Sequence, residues 1–310
     1  MRIAIMGAGA IGGYFGALLA AAGQEVAFIA RGPHLAAMRA GGLRVLSARG
    51  DVTVKPVWAT DEPAEVGPVD WVVVTVKNFD TSDAAERMAP MVGPDTAIVS
   101  FQNGVESAEI LAARFGRDRV LDGITYLPAV VVEPGVIRHT GPVNRFVFGE
   151  LGGAETARAI ALRDAGETAG IDMALRADIE VEVWRKFLVQ STFAALCCLG
   201  RYALGTMLSR PAVRTVYRQG MDEVFAVARA RGVALADDEV EKALHFAETV
   251  ADPATSSSML TDLERGNRIE IESLSGAVVR LGRELGVPTP FHDMALAVLG
   301  PYADKDGRPG

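Results

Sequence analysis

Six residues near the start, Gly7-Ala8-Gly9-Ala10-Ile11-Gly12, carry three glycines at the spacing of a diphosphate-binding turn. They follow the apolar stretch 2–6, open an alanine- and leucine-rich helix reaching Ala22, and precede a second strand-like run at 25–30. In that setting Gly7 permits the tight turn, Gly9 lets the backbone approach a pyrophosphate, and Gly12 lets helix and strand pack closely. The start of the helix adds unpaired N–H groups and the positive end of its dipole, and Ala8, Ala10 and Ile11 complete the expected cofactor-binding loop. The second strand ends in Ala30-Arg31-Gly32. An acid there would bind a ribose 2′-hydroxyl and repel a 2′-phosphate; Arg31 can pair with the phosphate, which favours NADP over NAD. The plainer alternative for Arg31 is a solvated surface charge.

Further along, four more positions have types suited to chemistry, each with a structural rival. Lys77 directly follows the apolar run 70–76, at the carboxyl end where open α/β sheets bind ligands; otherwise it is an exposed strand-end charge. Asn103-Gly104 is either a binding group or simply a turn, since both residues tolerate positive φ. Lys186 sits between Trp184 and Phe187 in a helical stretch and is either a snorkelling surface lysine or, if half-buried, a proton donor whose pKa desolvation brings toward neutrality. Ser258 ends the run 255–258, which also reads as a helix-capping cluster, and Glu270 is one of several acids on its segment.

These residues need elements to position them. Short apolar runs at 2–6, 25–30, 45–46, 52–57, 70–76, 97–101 and 119–121 alternate with helical stretches over the first half, which predicts a doubly wound, mainly parallel sheet. Runs at 130–132 and 145–148 predict later, antiparallel strands. From residue 179 the apolar residues recur at helical spacing, predicting helices over 180–199, 211–231, 237–249, 257–285 and 291–299. The expected organisation is an α/β Rossmann domain at 1–174, an all-α C-terminal domain at 175–303, and a disordered polar tail at 304–310, with a cleft between closely packed domains. Within the first predicted C-terminal helix, Lys186, Gln190 and Ala194 fall at i, i+4 and i+8 and share a face. Ser258 and Glu270 lie too far apart along one straight helix to touch one small molecule, so the chain must bend, and Arg265-Gly266-Asn267 is the expected place.

Bulk properties exclude several classes. With 31 basic and 39 acidic side chains the net charge is −8, so the chain gains nothing from approaching a nucleic-acid backbone. No apolar run is long enough to predict a membrane span, and the N-terminus lacks a signal-peptide pattern. The only cysteines, Cys197 and Cys198, are adjacent and would bridge only with strain; they read as buried thiols of a cytoplasmic protein. His34, His139, His245 and His292 show no metal-ligand spacing, so no metal is expected.

Taken in order, several segments give the chain a resemblance to the ketopantoate reductase (2-dehydropantoate 2-reductase) family over nearly its whole length. They are the glycine-rich segment 7–13, Thr75-Val76-Lys77, Gln102-Asn103-Gly104, Val183-Trp184-Arg185-Lys186, Ser257-Ser258-Met259-Leu260, Ile269-Glu270-Ile271-Glu272, and 281–290. The resemblance implies NADPH-dependent reduction of a small 2-keto acid, a C-terminal domain like that of 6-phosphogluconate dehydrogenase, and the possibility of a homodimer. It makes Lys186 the general acid and Glu270 a catalytic or site-organising group. It places Lys77, Ala129, Asn103 and Glu270 on the cofactor side with the glycine-rich loop and Arg31. Asn103, Lys186, Gln190, Ala194 and Ser258 fall on the substrate side. Family members usually carry asparagines where this chain has Ala194 and, further on, Leu204. A site lacking those amides loses discrimination for a substrate hydroxyl, so the expected substrate is ketopantoate or another 2-keto acid with a more apolar side chain. A non-catalytic NADP-sensing protein is the remaining alternative.

Overall fold

The computed structural model describes residues 1–304; the tail expected to be disordered lies, beyond Asp304, outside the described residues. The chain divides into two compact units, one of Met1–Gln102 with Ser107–Ile179, the other of Asn103–Glu106 with the chain from Glu180 onward. The expected domain boundary at 174/175 falls within the last strand of the first unit.

In the first unit the strands are β1 (Arg2–Met6), β2 (Glu25–Ile29), β3 (Leu43–Ser47), β4 (Val52–Val54), β5 (Trp58–Thr60), β6 (Trp71–Val74), β7 (Ala97–Ser100), β8 (Val120–Tyr126), β9 (Ala129–Glu133), β10 (Val136–His139), β11 (Arg145–Glu150) and β12 (Asp172–Leu175). The helices are α1 (Ala10–Ala21), α2 (Gly32–Gly41), α3 (Thr81–Arg87), α4 (Ser107–Phe115) and α5 (Ala157–Thr168). Among the described residues, the main sheet runs β12-β11-β8-β7-β6-β1-β2-β5. It is parallel throughout except where β11 meets β8. Every residue of β6 and β7 is buried, as expected for strands covered on both faces.

A smaller sheet, β4-β3-β10-β9, packs on the other side of α1. Of the expected strand at 52–57 only Val52–Val54 is strand (β4); Pro56, which has no N–H to give a ladder, follows it, and β5 begins beyond the expected run at Trp58. The runs at 130–132 and 145–148 are both antiparallel strands, but in different sheets: β9 pairs with β10, and β11 with β8. Glycines let α1 lie between the sheets. A Cβ at Gly13 would strike Ile137 of β10, and one at Gly16 would come 2.8 Å from Ile5 of β1.

The second unit is helical: α6 (Ile179–Gly200, whose first residue belongs to the first unit), α7 (Leu204–Ser209), α8 (Pro211–Arg231), α9 (Glu239–Thr249), α10 (Ser258–Glu264), α11 (Ser275–Leu285) and α12 (Pro290–Leu299). Its core includes Trp184, Phe187 and Leu188 of α6, Tyr217, Met221 and Val224 of α8, and Ile271, Ala277 and Val278. Burying each of the larger apolar side chains contributes about 1.5–3 kcal/mol. The long helix expected over 257–285 is two helices. The chain leaves α10 at Arg265, passes Gly266 at φ +69°, and resumes a helix only at Ser275. The bend is therefore longer than Arg265–Asn267, and Glu270 sits in a turn-rich connection. No helix among the described residues is long and apolar enough to cross a membrane.

Candidate active site

In the first unit the glycine-rich loop is built for close approach. Gly7 has φ +103°, and a Cβ there would lie 2.7 Å from the Val76 nitrogen. The loop is tied to the segment after β6 at two points: the Thr75 amide donates to the Met6 carbonyl at 2.9 Å, and the Thr75 hydroxyl to the Gly7 carbonyl at 2.8 Å. A Cβ at Gly12 would collide with that same hydroxyl. Gly9 caps α1 without a side-chain hydrogen bond, no acid lies in the first turn, and a Cβ added at Gly9 would meet nothing within 4 Å. Ala8 is buried, while Ala10 and Ile11 are half-buried. The first turn thus offers unpaired N–H groups and a positive dipole end beside open space, which fits a dinucleotide pyrophosphate.

Lys77 is half-buried just past β6, where the chain enters a tight turn at Asn78–Asp80. Arg31 stands at the start of α2 with its side chain 71% exposed, and its guanidinium pairs with the carboxylate of Asp80. Ala129 begins β9, opposite His139, in the smaller sheet.

In the helical unit, buried Trp184 and Phe187 pack edge to face at 5.6 Å and fix the rotation of α6. Arg185 between them is held by Glu182 at 2.9 Å and by Glu239 at 2.6 Å. Lys186 follows, and its Nζ donates to Asn103 Oδ1 at 2.9 Å. Asn103 reaches it from the short strap 103–106, which belongs to this unit. Gly104 takes φ +87°, Val105 packs on the helical core, and Glu106 accepts from Arg280 of α11 at 2.7 Å. Glu270 is buried at 7% exposure, close enough for its carboxylate to act on the Lys186 ammonium. Desolvation lowers the pKa of Lys186 from 10.5 to about 8, and Glu270 opposes part of that fall by favouring the charged form. The lysine keeps some exposed side-chain surface, yet its ammonium is enclosed by protein, and that enclosure carries the shift.

The other substrate-side positions are placed as follows. Gln190 and Ala194 continue along α6; Gln190 Oε1 is buried without a hydrogen-bond partner, and Ala194 is buried in the apolar core. Leu204, at the start of α7, is buried there too. Ser258 is exposed at the first residue of α10, because its neighbour Ser257 does the capping, accepting from the Leu260 amide at 3.1 Å. The structure therefore joins Lys186, Asn103 and Glu270 into one cluster. Sequence reasoning quoted Thr75 only within a matching segment and missed the bond of its hydroxyl to Gly7; it also missed the Arg280–Glu106 pair and Asp80, which carry no local signal. Among the described residues no group of three or more His, Cys, Asp or Glu is placed to hold a metal ion.

A doubly wound sheet with a pyrophosphate-type loop, and a helical unit with an enclosed lysine, are the parts of a Rossmann-fold oxidoreductase. The model of the family "Ketopantoate reductase PanE/ApbA" matches residues 3–153, and that of its C-terminal part matches residues 178–303. A 2-dehydropantoate 2-reductase of Mesorhizobium japonicum is 35% identical, over 99% of this chain and 99% of its own length. One from Archaeoglobus fulgidus is 36% identical over 92% of each chain. The crystal structure of a PanE/ApbA family ketopantoate reductase from Ralstonia eutropha is similar at a TM-score of 0.91. Its identity is 36%, over 99% of this chain and 100% of the other. The chain belongs to the ketopantoate reductase family.

Proposed function

We propose that the protein reduces 2-dehydropantoate to pantoate with NADPH, with Lys186 as the proton donor. The observation that carries this reading is the Lys186 ammonium, held 2.9 Å from Asn103 Oδ1 with its pKa lowered to about 8. A general acid works best when its pKa lies near the operating pH. When bound, NADPH supplies a hydride to the carbonyl carbon of the keto acid. The carbonyl oxygen takes its proton from Lys186 Nζ, which is left as a neutral amine and is recharged from water. Before transfer, the ammonium stabilises the developing alkoxide. Asn103 orients that ammonium, and Glu270 keeps it protonated in a desolvated setting. The loop Gly7–Gly12 would hold the pyrophosphate, with Arg31 and Lys77 as the cations on the cofactor side.

Gln190 supports a substrate that carries a hydroxyl, because its buried Oε1 lacks a donor in the protein. The buried, apolar Ala194 and Leu204 favour a second reading, in which the preferred 2-keto acid has an alkyl or aromatic side chain. The test is a set of 2-keto acids, including ketopantoate, 2-ketoisovalerate and benzoylformate, assayed with NADPH and with NADH. Highest kcat/KM for ketopantoate with NADPH is expected. Preference for benzoylformate would install the second reading, and no turnover of any keto acid despite tight NADPH binding would overturn both.

A further inference from the structure

Asp80 stands on a stiff turn, and we infer that it moderates the preference for NADPH by competing for the guanidinium that a 2′-phosphate needs. The inference rests on the NADPH reading of Arg31 given above. Asp80 is at the capping position of α3, yet its side chain caps nothing there; its carboxylate pairs with Arg31, 49 residues away in sequence. Of the two partners, Asp80 is the enclosed one, its side chain 25% exposed against 71% for Arg31.

The turn beneath Asp80 is held by side chains. The Thr81 hydroxyl donates to the Asn78 carbonyl at 2.8 Å, and Gln102 Nε2 donates to the Val76 carbonyl and to the Thr81 hydroxyl at 3.0 and 2.8 Å. Ser107 Oγ donates to Asn78 Oδ1 at 2.9 Å. The turn that carries the carboxylate is thus held, and the arginine is the more exposed partner. An incoming 2′-phosphate must draw Arg31 away from Asp80, or share it while a second negative charge remains close by. A neutral 2′-hydroxyl meets neither obstacle and can itself donate to a carboxylate. The exposed ion pair is weak in itself, so the discrimination comes from the charge left beside the phosphate.

Binding of NADPH and NADH, measured by calorimetry on the full chain without substrate, tests the assignment. Asp80→Asn should tighten NADPH about threefold to tenfold and move NADH by less than about twofold. The NADPH gain should shrink as salt rises. Asp80→Ser, which removes the charge and can cap α3, should do the same and replaces the asparagine variant if that one folds poorly. Unchanged or weaker NADPH binding in both variants, while Arg31→Ala still loses NADPH affinity, would overturn the role of Asp80 alone. If Arg31→Ala leaves the preference for NADPH intact, the cofactor reading itself fails.

Discussion

The glycine-rich loop and the lysine cluster are made of different material. The loop is backbone: what it would offer a ligand are N–H donors of one turn, and its side chains matter mainly by being absent at Gly7, Gly9 and Gly12. The lysine cluster is side chain: Lys186, Asn103 and Glu270 come from a helix, a strap and a connection far apart in sequence. A backbone site is set once the chain takes its path and has little to titrate. A side-chain site can be tuned by burial and neighbouring charge, as the pKa of Lys186 shows. The proposed pyrophosphate binding and the proposed proton transfer would make these two different demands.

The contrast predicts which changes strike hardest. Lys186→Ala should lower kcat by about 10²–10⁴-fold while leaving NADPH affinity, read by calorimetry, nearly unchanged; retained turnover would remove the lysine from its role. Next is a pH effect on stability in the helical unit. His292 is fully buried, its Nε2 donating to the Gly220 carbonyl and its Nδ1 accepting from Ser275, and burial pulls its pKa from 6.5 to about 4. The unfolded ring takes up a proton below about 6.5, while the folded ring stays neutral until about 4. Stability is therefore whole above that window and is lost as pH falls through it, by up to about 3 kcal/mol. Thermal melting from pH 7 to pH 4 should show the fall, and His292→Gln should flatten it.

Smaller effects separate the glycines. Gly12→Ala forces a methyl onto the Thr75 hydroxyl and should cost about 1–3 kcal/mol of stability together with NADPH affinity. Gly9→Ala, which meets no protein atom, should weaken NADPH without moving Tm. Equal losses of Tm in both variants would break the view that Gly9 is kept open for a ligand. Smallest is Glu270→Gln. In the wild type the rate of reduction should fall as pH rises through about 8, where Lys186 loses its proton. Without the carboxylate that favours the ammonium, this decline should move to lower pH.

The same contrast explains what the sequence disclosed. The loop was legible because its requirements are local: three glycines, a strand before and a helix after. The parallel strands were legible because double-sided burial writes continuous apolar runs such as Trp71–Val74. The bend after α10 was legible at Gly266, but its length was not, because the buried Ile271 stands at i, i+3 and i+7 with Leu274 and Val278 and so mimics helical spacing while serving a turn-rich connection. Arg31 read as a lone cation because Asp80 lies 49 positions away. Residues 103–106 read as part of the first domain because chain order places them there, whereas Val105 and the Glu106–Arg280 pair bind them to the helices. Sequence neighbours announce backbone turns; side-chain meetings across many residues leave no local trace.

That strap changes what counts as a separable piece. A fragment beginning at Glu180 would keep the lysine but lose the amide that receives its proton-bearing nitrogen, along with the acid that Arg280 grips. Recombination or fusion at that junction would inherit a helical bundle whose lysine has lost its Asn103 partner. The two units are consecutive only approximately: four residues are lent by one stretch of polypeptide to the other, and they must be exchanged together.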